Sequence, residues 1–273
     1  MRLKSNKKKA RNKKVDNNKK KSPLNRRYII YLSLVAVGVF FAAAALRVII
    51  GGLLEDASAR AEYDQLRDDF PAIANQELTP EPIEEDIEEP IEEEDDIEEI
   101  RALSLDELAA INSDFIGWIN IGHAIDYPVV RGRDNVKYIN TTFTGHRNSA
   151  GAIFMDYRNT NGFDEHVSVI YGHYTRDGSM FSSLGRYLDS NFLRQNPNIT
   201  ITTRDGRTLT YRIFAAKLTD AWDDAYTIAL TDSSRAAGEF PNAPSNASRF
   251  MLLSTCTRSS NDDERILVFA AMT

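Results

Sequence analysis

A run of apolar residues near the N-terminus constrains the fold of this chain more than any other feature. The 23 residues 28–50, YIIYLSLVAVGVFFAAAALRVII, carry one charge, Arg47, close to the far end. About 20 apolar residues span a bilayer as an α-helix. Arg47 can extend to one interface, and Tyr28 and Tyr31 suit the opposite one. The sequence therefore predicts a single transmembrane helix over 28–50.

The segment in front of this run predicts the orientation. Residues 1–27 contain 13 Lys and Arg and one acid, Asp16. Basic residues stay on the cytoplasmic side, so we predict a single-pass cell-membrane protein with a cytoplasmic tail and an extracellular remainder. A cleaved signal peptide is the alternative, but its apolar region is ordinarily about 7–15 residues long. The tail is expected to attract membrane lipid headgroups and no nucleic acid.

Residues 51–100 are expected to hold the folded part away from the membrane. Residues 53–70 have the composition of a polar helix that ends at Pro71. Residues 77–99 then contain 14 Asp and Glu and no base. Self-repelling carboxylates interrupted by prolines cannot form a packed core. We predict an extended Pro- and Glu-rich extracellular spacer, with calcium binding as a remote alternative.

The segment 101–273 has the composition of the folded domain, with 17 basic and 19 acidic residues. Ser104 and Glu107 form a capping-box pattern at the start of a short amphipathic helix. Short β-type segments separated by Gly, Asn and Asp follow. These segments are GWINI, DYPVV, GAIFMDY, HVSVIYGH, NITITT, LTYRIFAAKL, RFMLLSTC and RILVFAAM. Eight short strands favour a mostly β fold, either a closed barrel or a sandwich, with one or two helical interruptions near 177–197 and 231–243.

Cys256 is the sole cysteine of the chain. It cannot form an internal disulfide or a Cys-rich zinc site, and one Cys with one His is too few for structural zinc, so no metal is expected. A lone cysteine is often a small buried hydrophobe. An ordinary thiol has a pKa of about 8.5, so a nucleophilic role requires a base or a positive environment nearby.

His173 is the histidine best placed to be that base. It follows the apolar strand VSVIYG, and Gly172 before it permits a close approach to a cleft. The other histidines, His123, His146 and His166, lie in turns or polar loops, where a surface or structural role is expected.

Arg265 begins the last strand, and the short loop SSNDDE leads back to it from Cys256. The two residues should therefore be neighbours on adjacent antiparallel strands. A guanidinium beside a thiol can stabilise the oxyanion of an acyl-transfer intermediate. The alternative is a surface ion pair with one of the acids at 262–264, which would contribute little.

Residues 254–256, STC, closing a strand ahead of Arg265, resemble the sortase signature, Thr-Leu-x-Thr-Cys followed by a strand that carries Arg. Residues 126–159 and 171–184 resemble class B sortases in particular. The resemblance covers roughly 103–273. Leu252 replaces the first Thr of the signature, and we expect its side chain to point into the barrel.

The resemblance implies a closed eight-stranded β-barrel and a cysteine transpeptidase outside the membrane of a Gram-positive-type bacterium, with no cofactor. Such an enzyme cleaves a C-terminal sorting motif of a secreted protein after threonine. Cys256 would form a thioacyl intermediate, which an amine of a cell-wall precursor takes up. His173 would be the general acid and then the base. Arg265 would hold the substrate carbonyl, and Ser254 and Thr255 would contact substrate.

Three alternatives remain open from the sequence. A pilin-polymerising sortase would use a lysine of another subunit as the acceptor. A thiol hydrolase would use water, and a membrane-tethered binding module would carry an incidental cysteine. Specificity is expected from the loop 218–248, whose Trp222, Tyr226 and Phe240 either line a peptide groove or belong to the core.

Overall fold

The computed structural model describes residues 26–70, 103–122, 124–259 and 261–273. The chain divides into two compact units, Met1–Ile50 and Gly51–Thr273. The acidic stretch 77–99 and most of the basic tail lie outside the described residues, so the interpretations of both stay predictions.

The N-terminal apolar run is helical, as predicted. It belongs to α1 (Arg26–Asp69), and in the described part of the chain this is the one helix long and apolar enough to cross a membrane. No residue of its most apolar stretch is buried. The predicted membrane helix is therefore present as a candidate span.

The second unit contains a closed β-barrel, which confirms the predicted fold class. Among the described residues, eight strands close it in the order β1-β2-β3-β4-β7-β8-β6-β5. Neighbouring strands are antiparallel except for the parallel pairs β2–β3 and β4–β7. The strands are β1 (Phe115–Ile121), β2 (Ile125–Val130), β3 (Ile153–Met155), β4 (Val167–Tyr171), β5 (Asn198–Thr203), β6 (Thr208–Asp220), β7 (Phe250–Cys256) and β8 (Glu264–Met272).

Short helices connect these strands. Ser104 caps α2 through the predicted capping box, because its hydroxyl accepts from the Glu107 amide at 3.2 Å and the Glu107 carboxylate accepts from the Ser104 amide at 2.8 Å. The α-helices are α2 (Leu105–Ile111), α3 (Ser190–Gln195), α4 (Asp224–Thr231) and α5 (Ala236–Glu239). The 3₁₀ helices are Lys137–Ile139, Gly162–Asp164, Ser182–Leu188 and Ser233–Arg235.

The sheet buries apolar side chains on both faces around β4 and β7. One face contributes Met251, Leu253 and Ile170 to the barrel interior. The other packs against α4 and α5 in an outer cluster formed by Val167, Val169, Phe250, Leu252, Phe269, Ala225, Ile228, Ala236 and Phe240, among others. Leu252 therefore packs on the outside of the barrel, under the helices, and the expectation that it points inward was wrong.

The C-terminal turns of α1 pack against the barrel core. Ala59, Tyr63, Leu66 and Phe70 are all buried. The Tyr63 hydroxyl donates to the Gly151 carbonyl at 2.7 Å and accepts from the Phe143 amide at 3.2 Å. The first part of the segment 51–100, predicted as a spacer, is thus a component of the same compact unit as the barrel.

Candidate active site

A cleft of about 590 Å³ lies where β4 and β7 end on the outer face of the barrel. The predicted residues Cys256, His173 and Arg265 all line it. The other residues that line it are Asn135, Ile139, Phe154, Arg158, Tyr171, Gly172, Ala221, Trp222, Tyr226, Ser254 and Thr255. The structure thus brings together three side chains from distant parts of the chain. His173, which follows β4, and Arg265, which lies in β8, are 92 positions apart.

Strand pairing positions the thiol and the guanidinium. Cys256 ends β7 and pairs directly with Arg265 of β8, as the short loop predicts. The loop between them is tied by the Thr257 hydroxyl, which donates to the Glu264 carboxylate at 2.6 Å. Cys256 is a free, partly exposed cysteine that lines the cleft.

Arg265 is held by the loop through one nitrogen. Its Nη1 donates to the carbonyls of Asp262 at 2.6 Å and Glu264 at 3.0 Å. Both partners are backbone oxygens, and within the described residues the predicted alternative, an ion pair with a carboxylate at 262–264, is not formed. Nε and Nη2 have no partner in this part of the chain, so they can donate to a ligand in the cleft.

His173 is held at the end of β4 by its backbone and its ring. The Phe181 amide donates to the His173 carbonyl at 3.0 Å. The ring Nε2 lies 2.7 Å from the Ile139 carbonyl oxygen. A carbonyl can only accept, so Nε2 carries a proton and Nδ1 is the nitrogen left to exchange a proton with a reacting group.

Gly172 lets this strand end pack closely, as its position predicts. A Cβ at Gly172 would lie 2.6 Å from a ring carbon of Phe181 and 2.5 Å from Cδ1 of Ile153. Its amide donates to the Ser254 carbonyl at 3.2 Å, which couples the histidine strand to the cysteine strand.

Two tyrosines form part of the cleft wall beside Ser254. The hydroxyls of Tyr226 and Ser254 are 2.6 Å apart, and the ring of Tyr226 stacks on that of Tyr171 with centroids 6.4 Å apart. Burial raises the pKa of both phenols. Each therefore keeps its proton at neutral pH, and the Tyr171 hydroxyl donates to the Asp156 carboxylate at 2.9 Å.

The other residues of the predicted specificity loop have different environments. Trp222 is 81% exposed at the edge of the cleft, whereas Phe240 is buried and packs on Phe250 and Phe269. Tyr226 lies on α4, a helix that the sequence reasoning did not predict. The Asp223 side chain caps it by accepting from the Ala225 amide at 2.9 Å.

Thr255 differs from its neighbours because strand alternation puts its side chain on the opposite face from Ser254 and Cys256. Its hydroxyl is buried and has no hydrogen-bond partner among the described residues. Thr255 is one of the residues that line the cleft.

Sequence reasoning missed a charged pair at the cleft, Asp156 and Arg158. The Asp156 side chain is completely buried, and Arg158 Nε and Nη2 each donate to one of its oxygens at 2.8 Å. Asn135 and Tyr171 also donate to Asp156, at 2.8 and 2.9 Å. Burial alone would raise the pKa of Asp156, but these hydrogen bonds outweigh it and lower that pKa. The signal in the sequence was the Asp-x-Arg spacing directly after β3.

Neither His146 nor His166 lines the cleft. His146 lies 3.6 Å from the Glu62 carboxylate, and the His166 ring packs against Phe250. His123 lies outside the described residues.

Comparisons with known proteins identify the family. The model of the Sortase domain family matches residues 120–273, more than half of the chain. The chain belongs to the sortase family. Sortases are cysteine transpeptidases, so the chain belongs to a family of enzymes that transfer acyl groups through a cysteine.

The individual relatives are class B sortases. Sortase B of Listeria monocytogenes is 42% identical over 97 residues, which cover 35% of this chain and 39% of that protein. Sortase B of Staphylococcus aureus is 27% identical over 197 residues, which cover 72% of this chain and 70% of that protein. The class B resemblance predicted from residues 126–159 and 171–184 is therefore confirmed.

Solved sortase structures have the same fold. The S. aureus sortase B–substrate complex matches with a TM-score of 0.58 and 25% identity, covering 81% of this chain and 98% of that one. A Streptococcus pyogenes class B sortase involved in pilus biogenesis matches with a TM-score of 0.54 and 30% identity, covering 63% of this chain and 98% of that one.

Proposed function

We propose that this sortase cleaves a C-terminal sorting motif of secreted proteins after threonine and transfers the new acyl end to an amine. Cys256 is the nucleophile, His173 the general acid and base, and Arg265 the group that binds the substrate carbonyl. The observation that carries the proposal is that these three side chains line one cleft.

The first half-reaction uses all three side chains. The Cys256 thiolate attacks the carbonyl carbon of the threonine, and the carbonyl oxygen becomes an oxyanion. The unpaired donors of Arg265, Nε and Nη2, bind this oxyanion. His173 delivers a proton from Nδ1 to the departing amine, since Nε2 is engaged by Ile139. The C–N bond breaks and a thioester to Cys256 forms.

The second half-reaction reverses these roles. An amine attacks the thioester, His173 accepts a proton from it, and the Cys256 thiolate leaves as the new amide forms. A thioester is activated toward amines, so an amine bound nearby competes with water. Ser254 is assigned to substrate positioning together with Trp222 and Tyr226. Thr255 is assigned to it through its backbone only, because its side chain faces away from Ser254 and Cys256.

The membrane arrangement belongs to the same proposal. The apolar part of α1 anchors the enzyme, the basic tail contacts lipid headgroups on the cytoplasmic side, and the barrel acts outside. The donor is then a secreted protein bearing a sorting signal, and the acceptor is an amine of a peptidoglycan precursor. The S. aureus sortase B, whose structure is known as a substrate complex, supports a substrate-binding role for the matching fold.

The test is turnover of a peptide library by the full-length chain in detergent, with and without added amines. We expect cleavage in both cases and an amide product when an amine is present. Cys256→Ala and His173→Ala should abolish cleavage. Arg265→Lys should lower kcat by about 10²–10³, since a lysine ammonium does not replace the planar, two-pronged set of donors of a guanidinium.

His166→Ala is the matched control, because His166 does not line the cleft. It should retain activity. Free acid as the sole product at every amine concentration would identify a hydrolase instead. Cleavage and thiol labelling that survive Cys256→Ala would refute the catalytic assignment and favour the binding module.

A second candidate is pilin polymerisation, in which the acceptor is a lysine of another subunit. The similarity to the S. pyogenes class B sortase involved in pilus biogenesis favours it. Competition between a lysine-containing protein acceptor and a cell-wall peptide amine separates the two candidates. Preferential transfer to the protein lysine would support the polymerase.

A further inference from the structure

Arg158 gives the cleft a second fixed cation. Together with Arg265 it lines the cleft, and none of the described residues that line it is Asp or Glu. The nearest carboxylate to Arg158, that of Asp156, is completely buried and is neutralised by the arginine. A ligand in this cleft therefore meets no carboxylate from the described lining residues, and Arg158 offers it those hydrogen-bond donors that Asp156 does not use.

Asp156 fixes the direction in which Arg158 points. The carboxylate accepts from Nε and Nη2, which is the two-point contact that restrains a guanidinium most strongly. Asn135 and Tyr171 hold the carboxylate in turn. The other edge of the guanidinium, including Nη1, has no partner among the described residues, and the side chain is 45% exposed. Arg158 therefore presents a pre-oriented set of free donors.

The strand register relates the position of Asp156, the partner of Arg158, to that of Cys256. The Asp156 amide pairs with Val169, and Tyr171 pairs with Ser254, so Asp156 and Cys256 lie about four strand positions apart along the sheet. Four positions correspond to roughly 13 Å along the strands, and two interstrand spacings add about 10 Å across the sheet. The long Arg158 side chain covers part of this separation, since Arg158 and Cys256 line the same cleft. An extended peptide rises about 3.3 Å per residue, so a peptide with its scissile carbonyl at Cys256 would bring a side chain two to four residues away within reach of Arg158.

We propose that Arg158 is a specificity-determining residue that binds the carboxylate or carboxamide oxygen of a donor-peptide side chain two to four residues from the scissile bond. Asp156 is its positioning residue. A planar guanidinium donates best to an sp² oxygen, whereas a lysine ammonium has no acceptor to offer it. The inference rests on the proposed function and assigns one determinant of its substrate class.

The test compares cleavage of peptides that carry Asp, Asn, Ala or Lys at each position near the scissile bond. At one position the full-length wild-type enzyme should favour Asp or Asn over Ala and Lys by about tenfold or more in kcat/KM. Arg158→Gln alone would leave a buried unpaired carboxylate, which is strongly destabilising. The informative variant is therefore the neutral pair Asp156→Asn with Arg158→Gln.

The double variant should lose this preference while still cleaving the Ala peptide. Arg158→Lys, which keeps Asp156 paired, should reduce the preference without abolishing it. It provides the decisive measurement if thermal melting shows the double variant unfolded. Arg207→Gln is the matched control, because Arg207 also makes a two-point contact with a carboxylate, from Nη1 and Nη2 to Asp164, but does not line the cleft. It should keep the wild-type preference.

Wild-type selectivity retained by both Arg158 variants would overturn this proposal and leave the transpeptidase assignment intact. A wild-type enzyme that cleaves no peptide in the library would overturn both. Preference for Lys over Asp and Asn at every position would also refute the role of Arg158.

Discussion

The outer face of strands β4 and β7 has two ends that are stabilised in different ways. At the covered end, Phe250 and Leu252 are buried beneath α4 and α5 with no polar partner needed. At the open end, Ser254 and Cys256 continue the same row of side chains. A hydrogen bond between the Tyr226 and Ser254 hydroxyls, and one from Tyr171 to Asp156, take the place of the apolar cover there. The outward-facing side chains of one strand, β7, therefore belong to the apolar core at one end and to the cleft at the other.

The difference shows where the cleft comes from. Alternation makes every second residue of β7 face outward, and the helices cover the strand only as far as Tyr226. Beyond that point the outward side chains must be polar or hydrogen-bonded, because water reaches them. The site thus starts where the helical cover stops.

The largest expected effect is at the covered end. Phe250 is completely buried and contacts the rings of Phe214, Phe240 and His166. Phe250→Ala should lower the free energy of unfolding by about 3–5 kcal/mol through lost burial and a cavity. Denaturant unfolding measures this, with Leu218→Ala at an exposed position as the control. A loss below about 1 kcal/mol would contradict the assignment of this end to the core.

A smaller and pH-dependent effect is expected at the open end. Asp156→Asn should cost about 1.5–3 kcal/mol at pH 7, because hydrogen bonds to a charged group are lost. The pKa of Asp156 is lowered in the folded protein. Its stabilisation is therefore complete above the unfolded value, about 3.9, and is lost as the pH falls through the folded value.

Wild-type stability should consequently fall more steeply in acid than that of Asp156→Asn, whereas the cost of Phe250→Ala should not change with pH. Unfolding measured from pH 7 to pH 3 tests this. Asp164→Asn, which alters a half-exposed carboxylate, should change the acid slope less. Parallel acid slopes for wild type and Asp156→Asn would show that the open end does not depend on this charge.

The smallest effect on stability is expected at the edge of the cleft. Trp222 is 81% exposed, so Trp222→Ala should change the free energy of unfolding by no more than about 0.5 kcal/mol. If the indole contacts peptide, kcat/KM should still fall several-fold. Unchanged turnover would remove Trp222 from the binding residues, and a large loss of stability would show that its exposure is misjudged.

The features that followed from the sequence are those that depend on local pattern. The eight strands follow from short apolar segments between turn residues, and the pairing of Cys256 with Arg265 follows from the length of one loop. Ser104 and Glu107 likewise cap a helix through contacts between residues three positions apart in the sequence.

The features that did not follow depend on which elements meet in space. Whether Leu252 faces the interior or the helices depends on α4, whose Asp223 cap was not recognised. Asp156 and Arg158 are two residues apart, but their significance arises from Tyr171 and Asn135, which strand pairing and a loop bring to them. Likewise, nothing local to Tyr63 indicates that its hydroxyl bridges Phe143 and Gly151.

The packing of Tyr63 and Phe70 decides where the protein can be cut for work without detergent. A fragment beginning at residue 101 would uncover Trp118, on which the Phe70 ring rests with centroids 4.8 Å apart. It would also remove the Tyr63 hydroxyl, which is the hydrogen-bond partner of the buried Phe143 amide and Gly151 carbonyl. Such a truncation would promote aggregation, whereas expression from Gly51 onward removes the candidate membrane span and retains all of these contacts.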